Sequence, residues 1–151
     1  FPQVITLTSA QDEIARVANE VAEFLRQGCP RRDLLLLHAN GGGVRALIQA
    51  ITQRVGKDSA IDPKDTYPGN YVRVTTLNAG AGLESPIVFL VGLRELFEEE
   101  QSLRLSDDER EEMIRDHTRK VYMAATRAGQ RLVFTYVGDL PEMLKQIFAA
   151  A

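Results

Sequence analysis

The chain has 151 residues, which fits one domain with a sizeable core. At 44% hydrophobic and 26% charged residues its composition is that of an ordinary globular protein, and a net charge of −3 excludes the global basic field that marks nucleic-acid binders. No apolar run approaches the ~20 residues that cross a bilayer, so no membrane partner is expected; the single Cys29 excludes an internal disulfide and fits a reducing, cytoplasmic setting. A start on Phe1, with neither initiator methionine nor signal-peptide pattern, reads as a domain excised from a longer protein.

Strand and helix signals alternate along the chain. Val4 to Leu7 is a short β-prone run. Ser9 then caps a helix whose apolar stripe is Ile14, Val17, Val21 and Leu25, and Gly28 and Pro30 end it. Asp33 leads into Leu34-Leu35-Leu36-Leu37-His38, suited to a strand buried on both faces. Gly41-Gly42-Gly43 reads as a turn, followed by a helix with Val44, Leu47, Ile48, Ile51 and Val55 on one side. Residues 56–70 are polar, contain Pro63, Pro68 and Gly69, and read as a loop. Tyr71 to Leu77 and Ile87 to Val91 are two further strands.

From Glu95 to Glu112 there are nine acidic residues, read as a solvated connection. Ser106 and Glu109 have capping-box spacing and predict a long helix through Ala125. Leu132 to Val137 is the last strand, and Asp139 is placed as the cap of a C-terminal helix carrying Leu144, Ile147 and Phe148. This alternation predicts an α/β fold: a mostly parallel sheet with helices on both faces, in a single domain over residues 1–151.

Two stretches carry chemistry. The first is Val74-Thr75-Thr76-Leu77-Asn78-Ala79-Gly80-Ala81-Gly82-Leu83-Glu84, running into the strand Pro86 to Gly92. Gly80 and Gly82 permit close backbone approach and positive φ. Glu84 can accept hydrogen bonds from ribose hydroxyls, as acidic residues do in dinucleotide folds. The second is Thr126-Arg127-Ala128, at the end of the long helix and just before the last strand. An arginine there can aim a planar, permanently charged fork at a phosphate, or can pair with the acidic connection.

Together, and in this order, the two stretches resemble motifs V and VI of the UvrD/Rep-type superfamily 1 helicases. The resemblance runs from about residue 4 to residue 137. It implies a RecA-like fold of the P-loop NTPase type, and the C-terminal (second) such domain of an ATP-driven nucleic-acid motor. It also implies a division of roles. Arg127 would be the arginine finger on the γ-phosphate, with Glu84 and Gly82 at the nucleotide. Thr76, Asn78 and Thr126 would contact a single strand of DNA or RNA. ATP and Mg²⁺ would be held mainly by a preceding N-terminal RecA-like domain, because this chain has no Walker A or Walker B motif. The isolated domain is therefore expected to be inactive, and the helicase activity to belong to the full-length protein.

The family pattern in the first stretch is Thr-x-His-x-x-Lys-Gly-Leu-Glu. Thr76, Gly82, Leu83 and Glu84 match it; Asn78 stands for the histidine and Ala81 for the lysine. Losing one phosphate contact weakens nucleic-acid grip and its salt dependence. Asn40 and Arg45 match a further family segment loosely, and His38 stands where that segment has arginine. Tyr71 and Tyr122 are assigned to core packing, and Arg119 to orienting the finger. His38, His117 and Cys29 form no ligand cluster, so no metal site is expected. Two alternatives remain on residues alone: a RecA-like interaction module that has lost its motor, and an unrelated receiver-like regulatory domain.

Overall fold

In the computed structural model of the chain, residues 2–65, 69–80 and 82–150 are described. Ala81 and Pro68 lie outside them, as does the side chain of Phe148. Six strands form one sheet: β1 (Gln3–Leu7), β2 (Leu34–His38), β3 (Ala60–Ile61), β4 (Val72–Thr76), β5 (Ser85–Val91) and β6 (Ala128–Val137). Their order is β1-β6-β5-β2-β4-β3, and every pairing is parallel. The α/β, RecA-like architecture expected from the sequence is the one observed.

The strands alternate side chains between two cores. Leu34, Leu36, Val72, Val74, Phe89 and Val91 face one side, where α1 (Ala10–Arg26) and α2 (Gly41–Val55) cover them with Val17, Val21, Val44, Leu47 and Ile51. Leu35, Leu37, Val88, Leu90, Leu132 and Phe134 face the other. They are covered by α3 (Leu93–Glu100), α4 (Asp107–Ala125) and α5 (Glu142–Ala150) through Leu93, Leu96, Val121, Ala124, Leu144 and Ile147. All five residues of β2 are buried, which explains its unbroken apolar run: this strand has helices on both faces and a strand on each side.

The helix starts follow their capping residues. Ser9 Oγ accepts the Asp12 N–H at 3.1 Å. Ser106 and Glu109 form the reciprocal capping box, at 3.1 and 3.0 Å. Some expectations need correction. Residues 56–70 hold a short edge strand, β3, and a 3₁₀ turn at Pro63–Asp65. Gly41-Gly42-Gly43 is the first turn of α2, with Asn40 as its cap, not a loop before it. Asp139 does not cap α5, which begins three residues later at Glu142.

The acidic stretch is only partly solvated. Its first half is α3, because Leu93, Leu96 and Glu100 fall on one helical face and turn inward. Glu100 is buried and its Oε2 lies 2.8 Å from Nδ1 of His117 on α4, while Arg110 donates to the Glu100 carbonyl. A buried carboxylate is tolerated when its charge meets a partner, and here the partner ties α3 to α4.

Candidate functional site

The connection from β4 to β5 is short for a parallel crossover. Residues 77–80 leave the C-terminal edge of the sheet and run over β2, and residues 82–84 arrive at the N-terminal edge. Gly80 makes the passage possible: a Cβ there would meet Leu37 Cδ2 at 2.4 Å and the Thr76 carbonyl at 3.2 Å. Its backbone is not in the left-handed region, so close approach, not positive φ, is what this glycine supplies. Thr76 starts the crossing by accepting the Ala79 N–H on Oγ1 at 3.1 Å and the Gly80 N–H on its carbonyl at 2.9 Å.

At the N-terminal edge the crossing ends beside the last turn of α4. The Ser85 N–H donates to the Arg127 carbonyl at 3.1 Å, and Ser85 Oγ donates to the Asp33 carbonyl at 2.6 Å. The β5–β6 register then shifts between Ser85 and Ile87, a bulge of the kind that re-aims side chains next to sites. Glu84, Thr126 and Arg127 thereby line one open cavity of about 480 Å³, with Ser85, Pro86 and Ala128 to Gln130. Strand β6 starts at Ala128, four residues earlier than its apolar run, so Arg127 sits directly between helix and strand.

Arg127 is half-buried. Its Nε is enclosed and has no hydrogen-bond partner, and among the described residues no carboxylate pairs with its guanidinium. An N–H shut away without an acceptor costs about 1–3 kcal/mol. Pairing with the acidic connection, the structural role open on sequence grounds, is therefore not what holds this side chain. Asn78 and Arg127 also line a second, more enclosed cavity of about 350 Å³ under α4, with Leu37, Gly80, Arg119 and Lys120.

The remaining expected residues are dispersed. Thr76 stays at the opposite edge of the sheet. Gly82 is exposed, with open space where a Cβ would be. Thr126, which does share the cavity with Glu84 and Arg127, is the C-cap of α4 and donates its hydroxyl to the Met123 carbonyl at 2.7 Å. Tyr122 is 47% exposed, so it does not pack the core. Arg119 is exposed and pairs with Asp116 at 2.6 Å.

His38 and Asn40 belong to the other edge. The His38 ring is buried between Gly43 and Gly92, where an added Cβ would meet ring atoms at 2.0 and 2.2 Å. Nδ1 accepts the Asn40 N–H at 3.1 Å, and burial pushes the imidazole pKa down to about 4. It is thus neutral at physiological pH and cannot provide the charge of the arginine it replaces. Beside it, Glu13 is buried and accepts from Thr135 Oγ1 at 2.7 Å and Gly92 N–H at 3.2 Å; burial raises its pKa.

One further residue of the site carries a sequence signal of its own. Arg73 is a lone charge in the apolar strand Val72-Arg73-Val74, and its guanidinium donates to the Glu84 carbonyl at 3.0 Å.

No family model matches the chain. An alignment of 137 residues, spanning 70% of this chain, is 28% identical to an ATP-dependent helicase/nuclease subunit from Lactobacillus helveticus (strain DPC 4571). The chain spans only 11% of that relative's length. Its fold is similar to the crystal structure of the C-terminal domain of a possible DNA helicase from Lactobacillus plantarum WCFS1, with a TM-score of 0.66 at 20% identity, over 97% of this chain and 80% of the other. The structural comparison shows the fold, a parallel α/β sheet of the RecA-like kind, and both comparisons find similarity to helicase proteins.

Proposed function

We propose that the chain is the C-terminal motor domain of an ATP-dependent superfamily 1 DNA helicase or translocase. In this reading it closes over ATP held by an N-terminal RecA-like domain of the same protein. The observation that carries the proposal is the meeting of Glu84 and Arg127 in one cavity, with no carboxylate on the arginine among the described residues. A guanidinium that lines an open cavity and has no carboxylate partner fits an anionic ligand such as a nucleotide phosphate.

Each residue then has a task. Arg127 places fixed positive charge where negative charge grows on the γ-phosphoryl group. Glu84 accepts from the ribose hydroxyls, and Gly82 leaves room for the nucleotide beside the main chain. Mg²⁺, held by the N-terminal domain, supplies charge neutralisation at the phosphates. Thr76 has its hydroxyl oxygen occupied by the Ala79 N–H and keeps its own O–H free to donate to a strand phosphate. Asn78 and Thr126 complete contacts to single-stranded DNA or RNA. Asn78 and Arg127 line the same cavity under α4, which supports a coupling of strand and nucleotide through this helix.

The test is Arg127→Ala in the complete motor. Turnover is expected to fall on the order of 10³-fold or more, with ATP affinity changed only several-fold, because the charge acts on the transition state. The isolated domain should keep its melting temperature. Wild-type turnover in the variant would refute the finger.

A further inference from the structure

Glu84 lies at the end of a crossing that carries small residues, Ala79, Gly80 and Gly82 among them, yet a ribose contact needs a fixed carboxylate. The N-terminal edge shows what fixes it. Arg73 is the second residue of β4, opposite Leu35 of β2, and its neighbours Val72 and Val74 point into the α1–α2 core. By the alternation of a strand, Arg73 faces the side over which the crossing runs. One guanidinium nitrogen donates both to the Glu84 carbonyl at 3.0 Å and to the Arg32 carbonyl at 3.3 Å. Arg32 is itself held, its N–H donating to Asn70 Oδ1 at 3.0 Å.

This placement is costly. Burial lowers the Arg73 pKa, and its Nε is enclosed without a partner. Arg73 and Arg127 are the two described residues with such an orphaned buried atom, and both are tied to the same dipeptide. Arg73 holds the Glu84 carbonyl; Arg127 receives the Ser85 N–H on its own carbonyl. An apolar residue would fill the same strand position without the desolvation cost. What the guanidinium supplies is a single nitrogen that ties the sheet to the main chains of Glu84 and Arg32 together.

We infer that Arg73 is a positioning residue of the nucleotide site: it sets the Glu84 main chain so that the carboxylate and Arg127 present one fixed geometry. Arg73 does not line the cavity with Glu84 and Arg127, so it acts through Glu84 and not on the ligand. The inference rests on the nucleotide reading of Glu84 given above.

Two measurements test it separately. The first needs no nucleotide. In this chain, Arg73→Met keeps the aliphatic stem and removes the donors. Amide hydrogen exchange at residues 82–85 is expected to speed up by ~tenfold, while the protected amides of β2 and β5 beyond Ile87 stay as in wild type. Arg73→Lys, with charge but no fork, should also loosen this segment. Unchanged exchange at 82–85 in both variants would overturn the positioning role, whatever the site binds.

The second uses the complete motor. Arg73→Met should raise the ATP KM roughly five- to tenfold with kcat within about twofold, and should abolish the preference for ATP over its 3′-deoxy analogue. A purely structural arginine would lower the amount of active protein and leave that preference intact, and this result would overturn the inference. If exchange loosens as expected but neither Arg127→Ala nor Glu84→Gln alters turnover or KM, the nucleotide reading itself has failed and the inference falls with it.

Discussion

The two edges of the sheet make a useful contrast. At the C-terminal edge, polar groups are buried and spoken for. His38 is wedged between two glycines with Nδ1 bonded to a backbone amide, and Glu13 takes two donors. At the N-terminal edge, Arg73 and Arg127 each keep an enclosed N–H without an acceptor, and Arg127 lines an open cavity. Groups that satisfy one another stabilise the fold; groups held unsatisfied beside open space are set up for a ligand. Substitutions at His38 and Gly92 should therefore act on stability, and substitutions at Glu84 and Arg127 on function.

The largest effect is expected where the His38 slot is closed. Gly92 has φ +73° and a Cβ there would meet the ring at 2.2 Å, so Gly92→Ala should cost about 2–4 kcal/mol of stability by chemical denaturation. Part of this should be recovered when His38→Ala is combined with it, since the steric partner is then gone. Strictly additive losses would show that the imidazole does not fill the slot.

Next comes pH. The folded pKa of His38 is depressed to about 4 from an ordinary value of 6.5. The unfolded chain therefore binds the proton first, and the contribution of His38 to stability is present above pH ~6.5 and lost as pH falls toward 4. The full difference amounts to about 3 kcal/mol. Glu13 has its pKa raised by burial and works with the opposite sign, gaining stability as it is protonated. The measurement that isolates His38 is thus the difference between wild type and His38→Asn across pH 7 to 4. Parallel curves would break the contrast by showing that the histidine titrates freely.

The smallest effect belongs to the other edge. On the proposed nucleotide reading, Glu84→Gln retains an acceptor, so the loss should be about 1 kcal/mol, read as a raised ATP KM in the complete motor. Folding stability should be unchanged, because Glu84 is exposed and its side chain has no partner among the described residues. A drop in melting temperature with an unchanged KM would place Glu84 with the structural groups instead.

Much of this architecture was legible in the chain because it depends on local pattern. The apolar run at Leu34 to Leu37 marks the central strand, and the 3.6-residue stripes mark α1 and α2, since each element must bury a face of fixed period. The Ser9 cap and the Ser106–Glu109 box set helix starts through bonds spanning only three residues. The acidic run hid α3, because a helix with Leu93, Leu96 and Glu100 inward looks polar until His117, 17 residues on, supplies the buried partner. The order β1-β6-β5-β2-β4-β3 likewise joins strands far apart in sequence, and no local period encodes it.

The site divides in the same way. Sequence alone selected Glu84, Thr126 and Arg127, and the residue types state the chemistry: a carboxylate and a fixed cation. Whether the cation was already neutralised, and whether both groups reached one place, depended on contacts across the sheet. A crossing over Leu37 brings Glu84 to the edge where α4 delivers Arg127, and Arg73 binds it there from the strand. Chain pattern determines which side chains an element carries and which face it buries. Only the packed structure decides which charges find partners, because pairing depends on distances between residues that the chain does not place together.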